Sequence, residues 1–213
     1  MNPLKIWRNE TIGGKVVESL KKNNFQAYFC KTGPEAVSEI LKLIPSDASV
    51  GVGGSQTIME LGVLDRLAAQ GNTIFNHSQP GLDGAQKSAI RRRQLTCDVF
   101  LTGANAVTMD GKLVNTDATG NRVAAMIFGP QKVIVVAGMN KVVKDLAAAE
   151  ERIKSWAAPF NNKRLNTPNP CVKSGRCLDC QGPTRLCNVT TIISKRPSLT
   201  DFHVLLIGED LGF

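Results

Sequence analysis

The sequence predicts an α/β fold, three layers deep with a mostly parallel sheet, and three observations carry that expectation. Helix-like and strand-like segments alternate from residue 12 to 158, the pattern of parallel strands joined by crossover helices. Val133-Ile-Val-Val-Ala137 is apolar throughout, which suits a central strand covered on both faces, whereas a surface strand would alternate with polar residues. With 213 residues, 42% of them hydrophobic and 21% charged, the chain can bury a core without disulfides or metal.

Taken in order, the apolar runs give strands at Gln26–Cys30, Ser49–Gly53, Thr73–Phe75, Val99–Gly103, Lys112–Asn115 and Lys132–Gly138. Between them, apolar residues at helical spacing give helices at Gly14–Asn23, Pro34–Leu43, Thr57–Gln70, Gly84–Leu95, Thr119–Phe128 and Val142–Ala158, the last stopping before Pro159. Asp110-Gly111 between the short apolar runs Val107–Met109 and Leu113–Val114 signals a two-residue hairpin turn. From Pro159 to Asn188 the chain turns rich in Asn, Pro, Gly, Arg and Cys; Thr190–Ser194 and Phe202–Ile207 then read as strands. Residues 1–213 thus form one domain, with 160–190 as a cysteine-rich insertion.

The net charge of +8 invites a nucleic-acid reading. Its distribution opposes one: residues 151–200 alone carry +7 and hold four of the six cysteines, so the excess reads as compensation for a thiolate cluster. Aromatic residues are 5%, too sparse for a base-stacking surface. No apolar run approaches the roughly 20 residues of a membrane span, and the amino terminus has no signal core, so a cytoplasmic protein is expected.

Gly51-Val-Gly-Gly-Ser-Gln-Thr57 leaves a strand and enters a helix. Gly51, Gly53, Gly54, Ser55 and Thr57 could bring backbone N–H groups to an anion at the helix start; the alternative is a tight turn that uses glycine for its backbone angles. Glu60 is a candidate catalytic carboxylate, or else the far end of a capping box on Thr57. Further on, Asn105 follows a strand end, while Asn115, Asp117, Asn121 and Arg122 precede the next helix. Ligands bind beyond the carboxyl ends of such strands. Asp117 would serve there as acid or base and Arg122 as anion clamp, unless Asp117 merely caps the helix and the asparagines satisfy turns. Lys141, past the central strand, reaches the same crevice or stays a surface lysine. His77 could face the crevice, while Arg91-Arg92-Arg93 reads as a solvated or partner-docking patch.

VGVGGSQTIMELG, TGANAVTMDGKLVNTDATGNRVAAMIFGP and VIVVAGMNKVV resemble the successive motifs of the lactate-utilisation (LUD) domain family, over roughly residues 10–160. The resemblance implies the Rossmann-like architecture shared by ribose-phosphate isomerases, glucosamine-phosphate deaminases and CoA transferases, whose members bind ligands beside the glycine turn. It also implies a role in bacterial oxidation of L-lactate to pyruvate, as one component of a multi-subunit system with an iron–sulfur partner protein. A small anionic metabolite would be the ligand: a hydroxyacid, a phosphate or a CoA ester. Two alternatives stay open, an anion-binding or regulatory module with a structural zinc or redox-sensing Cys loop and, by fold analogy, a sugar-phosphate or acyl-CoA enzyme.

Cys171, Cys177, Cys180 and Cys187 fall within one short irregular stretch and include a C-x2-C pair, which points to metal ligation in a reducing compartment. A [4Fe–4S] cluster and tetrahedral zinc both accept four thiolates; the electron-moving pathway favours the cluster. The C-x2-C-x2-C-x3-C-P run of the family's iron–sulfur members is absent, so their cluster does not carry over by alignment. Lys173, Arg176 and Arg185 are expected to lower the thiol pKa values, while Cys30 and Cys97 read as inert core residues.

Overall fold

The computed structural model describes residues 2–213. Its first half runs α1 (Pro3–Lys22), β1 (Gln26–Cys30), α2 (Gly33–Leu43), β2 (Ser49–Val52), α3 (Gln56–Glu60), α4 (Val63–Gln70), β3 (Thr73–Asn76), α5 (Gly84–Arg93) and β4 (Val99–Gly103). Then follow β5 (Ala106–Thr108), β6 (Leu113–Asp117), α6 (Asn121–Ile127), β7 (Lys132–Gly138) and β8 (Val142–Val143). The chain closes with α7 (Leu146–Arg152), α8 (Ala158–Arg164), α9 (Cys171–Ser174), β9 (Val189–Ile193) and β10 (Asp201–Ile207).

Six strands form the central sheet in the order β1-β10-β7-β4-β2-β3, every neighbouring pair parallel. Side chains of period two divide between its faces. Phe100, Val133, Val135, Phe202 and Val204 pack with Val16 and Leu20 of α1 and Met126 of α6. On the other face Val50, Leu101, Ile134, Val136 and Leu205 meet Ile40 of α2, Ile58 of α3 and Leu67 of α4. These strands are apolar on both faces because both faces are covered, as expected from the sequence. A second sheet, β8-β5-β6-β9, stands at the carboxyl end of the first.

Besides shifts of one or two residues at several element ends, four features differ from the sequence expectation. The first helix begins at Pro3 instead of Gly14, because the Asn2 side chain accepts from the Leu4 N–H and Pro3 suits a first turn. The helix expected over Thr57–Gln70 is two, broken at Gly62, whose left-handed φ of 60° ends one and starts the other. The hairpin turn holds three residues, Met109 to Gly111, since Thr108 N–H bonds to Lys112 O (3.0 Å) and Gly111 takes φ +80°.

The helix expected over Val142–Ala158 begins instead as strand β8 and does not stop at Pro159. Residues Ile153–Ala157 widen into a π-helical turn, with Ala158 N–H bonded to Ile153 O, and α8 continues to Arg164. Proline has no N–H and its ring presses on the carbonyl four residues back, so the wider turn lets the chain pass it without ending the helix.

Candidate functional site

From β2 the chain proceeds through α3 and α4 to β3, whereas from β4 it proceeds the opposite way across the sheet, through β5, β6 and α6, to β7. Connections therefore part between β2 and β4, and loops leaving adjacent strands in opposite directions open a crevice at their carboxyl ends. A cleft of about 530 Å³ lies there, bounded by Gly54 and Ser55 after β2, Gly103 to Asn105 after β4, and Asp117 to Arg122 after β6. A Cβ on Gly103 would sit 2.6 Å from Ser55 Oγ, so glycine is what lets the two loops come together.

The β6 end is built around one ion pair. Asp117 Oδ1 accepts from Arg122 Nε (2.8 Å) and Nη2, while Oδ2 accepts from the Val123 N–H (3.1 Å) at the start of α6. Asn105 Oδ1 accepts from Arg122 Nη2 (3.0 Å) and the Thr116 N–H (2.8 Å), and its own N–H donates to Asn115 Oδ1 (2.9 Å). Asp117 is thus both helix cap and guanidinium partner. Thr119 Oγ1 donates to Asn121 Oδ1 (2.6 Å) at the rim.

Lys141, which lines the cleft, is 4% exposed and its Nζ donates to Thr57 Oγ1 (2.6 Å) behind it. Burial first, and then the charges of Arg152 and Arg122, lower its pKa to about 7. Arg152 stands behind the wall, donating to Asn105 O (2.6 Å) and Asn140 O (3.0 Å), and burial lowers its pKa to about 10. On the opposite lip His77 accepts from Gln94 Nε2 (3.0 Å) through Nδ1. Burial, aided by Arg91, pushes its pKa below the ordinary imidazole value. Lys87, Arg91, Arg122, Lys141 and Arg164 line the cleft against one acidic side chain among the described residues, Asp117, already paired. Such a wall selects anions.

The structure gathers Gly54, Ser55, Asn105, Asp117, Asn121, Arg122 and Lys141 on the cleft. Thr57 and Asn115 lie fully buried behind it. Gly51 and Gly53 sit below, where a Cβ would meet Cys97 Sγ at 2.7 Å or Thr102 Oγ1 at 2.4 Å. Glu60 is off the lining; its Oε2 accepts from the Gly212 N–H (2.7 Å), and the helix cap is Ser55 in place of the expected Thr57 box. Helix α3 has five residues, too short to add much dipole field. Sequence reasoning missed Arg152 and Arg164. Arg164 lies in α8, beyond the expected helix stop, while Arg152 lies inside the expected helix, where its spacing does not reveal that it turns to the Asn105 and Asn140 carbonyls.

The four cysteines also come together. Cys171, Cys177, Cys180 and Cys187 ring a second, small cavity of about 10 Å³, room for roughly one water. Lys154 O accepts from the Cys177 N–H (2.8 Å), and Arg185 donates to Cys180 O (2.6 Å) and Cys187 O (2.9 Å). Burial and mutual repulsion raise the Cys171 pKa and push Cys187 to about 11, outweighing the pull of Arg185. The expected lowering by nearby cations fails for these two thiols: Arg176 pairs with Glu151 (3.1 Å), and Lys173 is exposed. Four thiols around one cavity are the right donors for a thiophilic metal, although no three Cys, His, Asp or Glu side chains among the described residues stand ready to hold an ion. Ala158, Asn162, Leu186 and Cys187 line both cavities.

No match appears among curated proteins. A DUF162 family protein from Deinococcus radiodurans has a similar structure, with a TM-score of 0.53 at 13% identity over 93% of this chain and 97% of its own. That likeness speaks for the fold. Among the described residues, no helix is long and apolar enough to cross a membrane. The LUD domain family model matches residues 14–207, through both sheets and the cysteine loop, and the chain belongs to the LUD-domain family.

Proposed function

We propose that the protein binds a small 2-hydroxyacid, or its 2-oxo product, in the cationic cleft as one component of an L-lactate oxidation system that includes an iron–sulfur partner. The observation that carries this reading is the shared wall: Cys187 lines the metabolite cleft and the four-thiol cavity at once. In that reading Arg122 takes the carboxylate and Asp117 fixes Arg122. Cys171, Cys177, Cys180 and Cys187 hold the metal. A [4Fe–4S] cluster would supply one-electron transfer, whereas zinc would supply a staple.

Calorimetric titration with L-lactate and pyruvate, together with iron, sulfide and zinc analysis of anaerobically purified protein, tests it. Saturable binding and about four irons per chain support the electron-transfer version. Absence of binding, with unchanged growth on L-lactate after deletion of the gene, overturns it. The cleft volume favours a second reading, because 530 Å³ far exceeds one lactate. A sugar phosphate or CoA ester binding more tightly than either hydroxyacid or oxoacid in the same titration would shift the assignment to that class.

A further inference from the structure

A buried lysine on a ligand cleft demands an account, because an ammonium group without a carboxylate partner is costly to bury. Lys141 closes the short 3-10 turn after β7 and is covered by the segment Leu211–Phe213, with Gly212 packed against both Thr57 and the lysine. Its described hydrogen-bond partner is the Thr57 hydroxyl, which gives its own proton to Leu211 O (3.3 Å). Thr57 can therefore accept from the amine but not donate to it, and a neutral amine keeps its lone pair for the cleft. Glu60 is the acid whose charge reaches Lys141, and its Oε2 is already held by the Gly212 N–H (2.7 Å).

A neighbouring cation is free to orient a substrate. Arg122 commits Nε and Nη2 to Asp117, Asn105 and Thr116, and among the described residues Nη1 has no protein partner. A carboxylate next to a carbonyl carbon matches a guanidinium beside an amine. We propose that Lys141 is a covalent site that condenses with the carbonyl carbon of a 2-oxo acid. The inference rests on the hydroxyacid reading above and narrows it to the oxidised partner of the pair.

The amine lone pair adds to the carbonyl carbon, and the carbonyl oxygen takes up a proton to give a carbinolamine. Nitrogen then loses a proton, the hydroxyl takes up a second proton and leaves as water as the nitrogen lone pair closes the C=N bond, and the protonated imine returns its N–H proton to solvent. One amine and one carbonyl become one imine and one water, with no change in oxidation state. Burial and the pressure of Arg152 and Arg122 supply the neutral nucleophile near pH 7, as desolvated lysines do in other imine-forming sites.

The test traps the imine. The full chain is incubated with pyruvate and sodium cyanoborohydride, then measured by intact mass and peptide mapping. The expected result is one adduct per chain, the mass of pyruvate less one water plus two hydrogens, located on Lys141 and missing from Lys141→Arg. Acetone, which lacks the carboxylate, should trap far less. Adducts spread over surface lysines, or equal adducts in Lys141→Arg, overturn the proposal. Calorimetric binding of pyruvate without trapping overturns the covalent step and leaves the hydroxyacid reading in place, whereas failure of both pyruvate and L-lactate to bind overturns both.

Discussion

The parallel sheet and the cysteine loop are held together by different physics. Across the sheet, Phe100, Ile134, Val135, Phe202 and Leu205 are fully buried and contribute through apolar area, which is additive and non-directional. Over residues 166–188 the links are single polar atoms: Asn169 to Asn162 and Thr184, Arg185 to two cysteine carbonyls, and Asn188 N–H to Asp117 O (3.0 Å). A region built on area tolerates small errors in position, while one built on directed bonds opens when a bond is lost. The cleft lies where the two meet, with a rigid floor from the sheet and one wall from the polar loop.

The largest expected effect is on the sheet. Phe100→Ala should cost about 3–5 kcal/mol, because the cavity lies where strands and helices cannot collapse into it; the midpoint of a denaturant titration measures this. Next comes Lys141, whose folded pKa of about 7 lies below the ordinary 10.5. Between those values the unfolded chain holds a proton that the native state does not, so native stability from this group rises with pH by up to about 1.4 kcal/mol per unit. It is fully present above the unfolded value and lost as pH falls through the folded one. Lys141→Met should therefore gain on the wild type most at pH 6 and least near pH 10 in parallel denaturant titrations. A difference independent of pH would show that the amine stays charged throughout.

How much was legible in the sequence follows the same division. Val133–Ala137 declared a central strand because burial on both faces leaves no polar position, and the strand order then placed Gly54, Asn105 and Asp117 at one sheet end. Their convergence depended on topology and followed from the fold class. Arg164 was hidden because the π-helical turn carries the helix past its expected stop at Pro159, and Arg152, inside the expected helix, because its partners Asn105 O and Asn140 O come from other loops. The four cysteines could be grouped by spacing, but the raised pKa values of Cys171 and Cys187 could not be foreseen. Burial and repulsion between thiols depend on depth, which basic residues nearby in sequence do not report.

At the junction of the two regions, Asp117→Asn keeps the side-chain shape and a carbonyl for the Val123 N–H but removes the charge facing Arg122. Hydrogen bonds to charged groups are worth about 1.5–3 kcal/mol. With the pair 8% and 15% exposed, the expected stability loss is about 2 kcal/mol in a denaturant titration. If Asp117 is also an acid or base in turnover, activity falls about 100-fold or more. A variant that loses stability but keeps its turnover would confine Asp117 to positioning Arg122.

The smallest global effect is expected within the loop. Asn169 is 4% exposed, donates to Asn162 Oδ1 (2.7 Å) and Thr184 O (2.8 Å), and accepts from Thr184 Oγ1 (2.7 Å). Asn169→Ala leaves Thr184 O and Thr184 Oγ1 without their partner, while Asn162 Oδ1 still accepts from Thr167 Oγ1 (2.7 Å), a local cost of about 1–3 kcal/mol. The apolar core does not run through this loop, so the cost should appear as local opening, with the global midpoint moving by less than about 0.5 kcal/mol. Amide exchange over residues 166–188 should accelerate, and Cys171, buried in the wild type, should become open to alkylation, while exchange in β4 and β7 stays slow. A parallel fall in the global midpoint would instead join the loop to the sheet as one cooperative unit, and the asymmetry between the two regions would then be one of chemistry but not of stability.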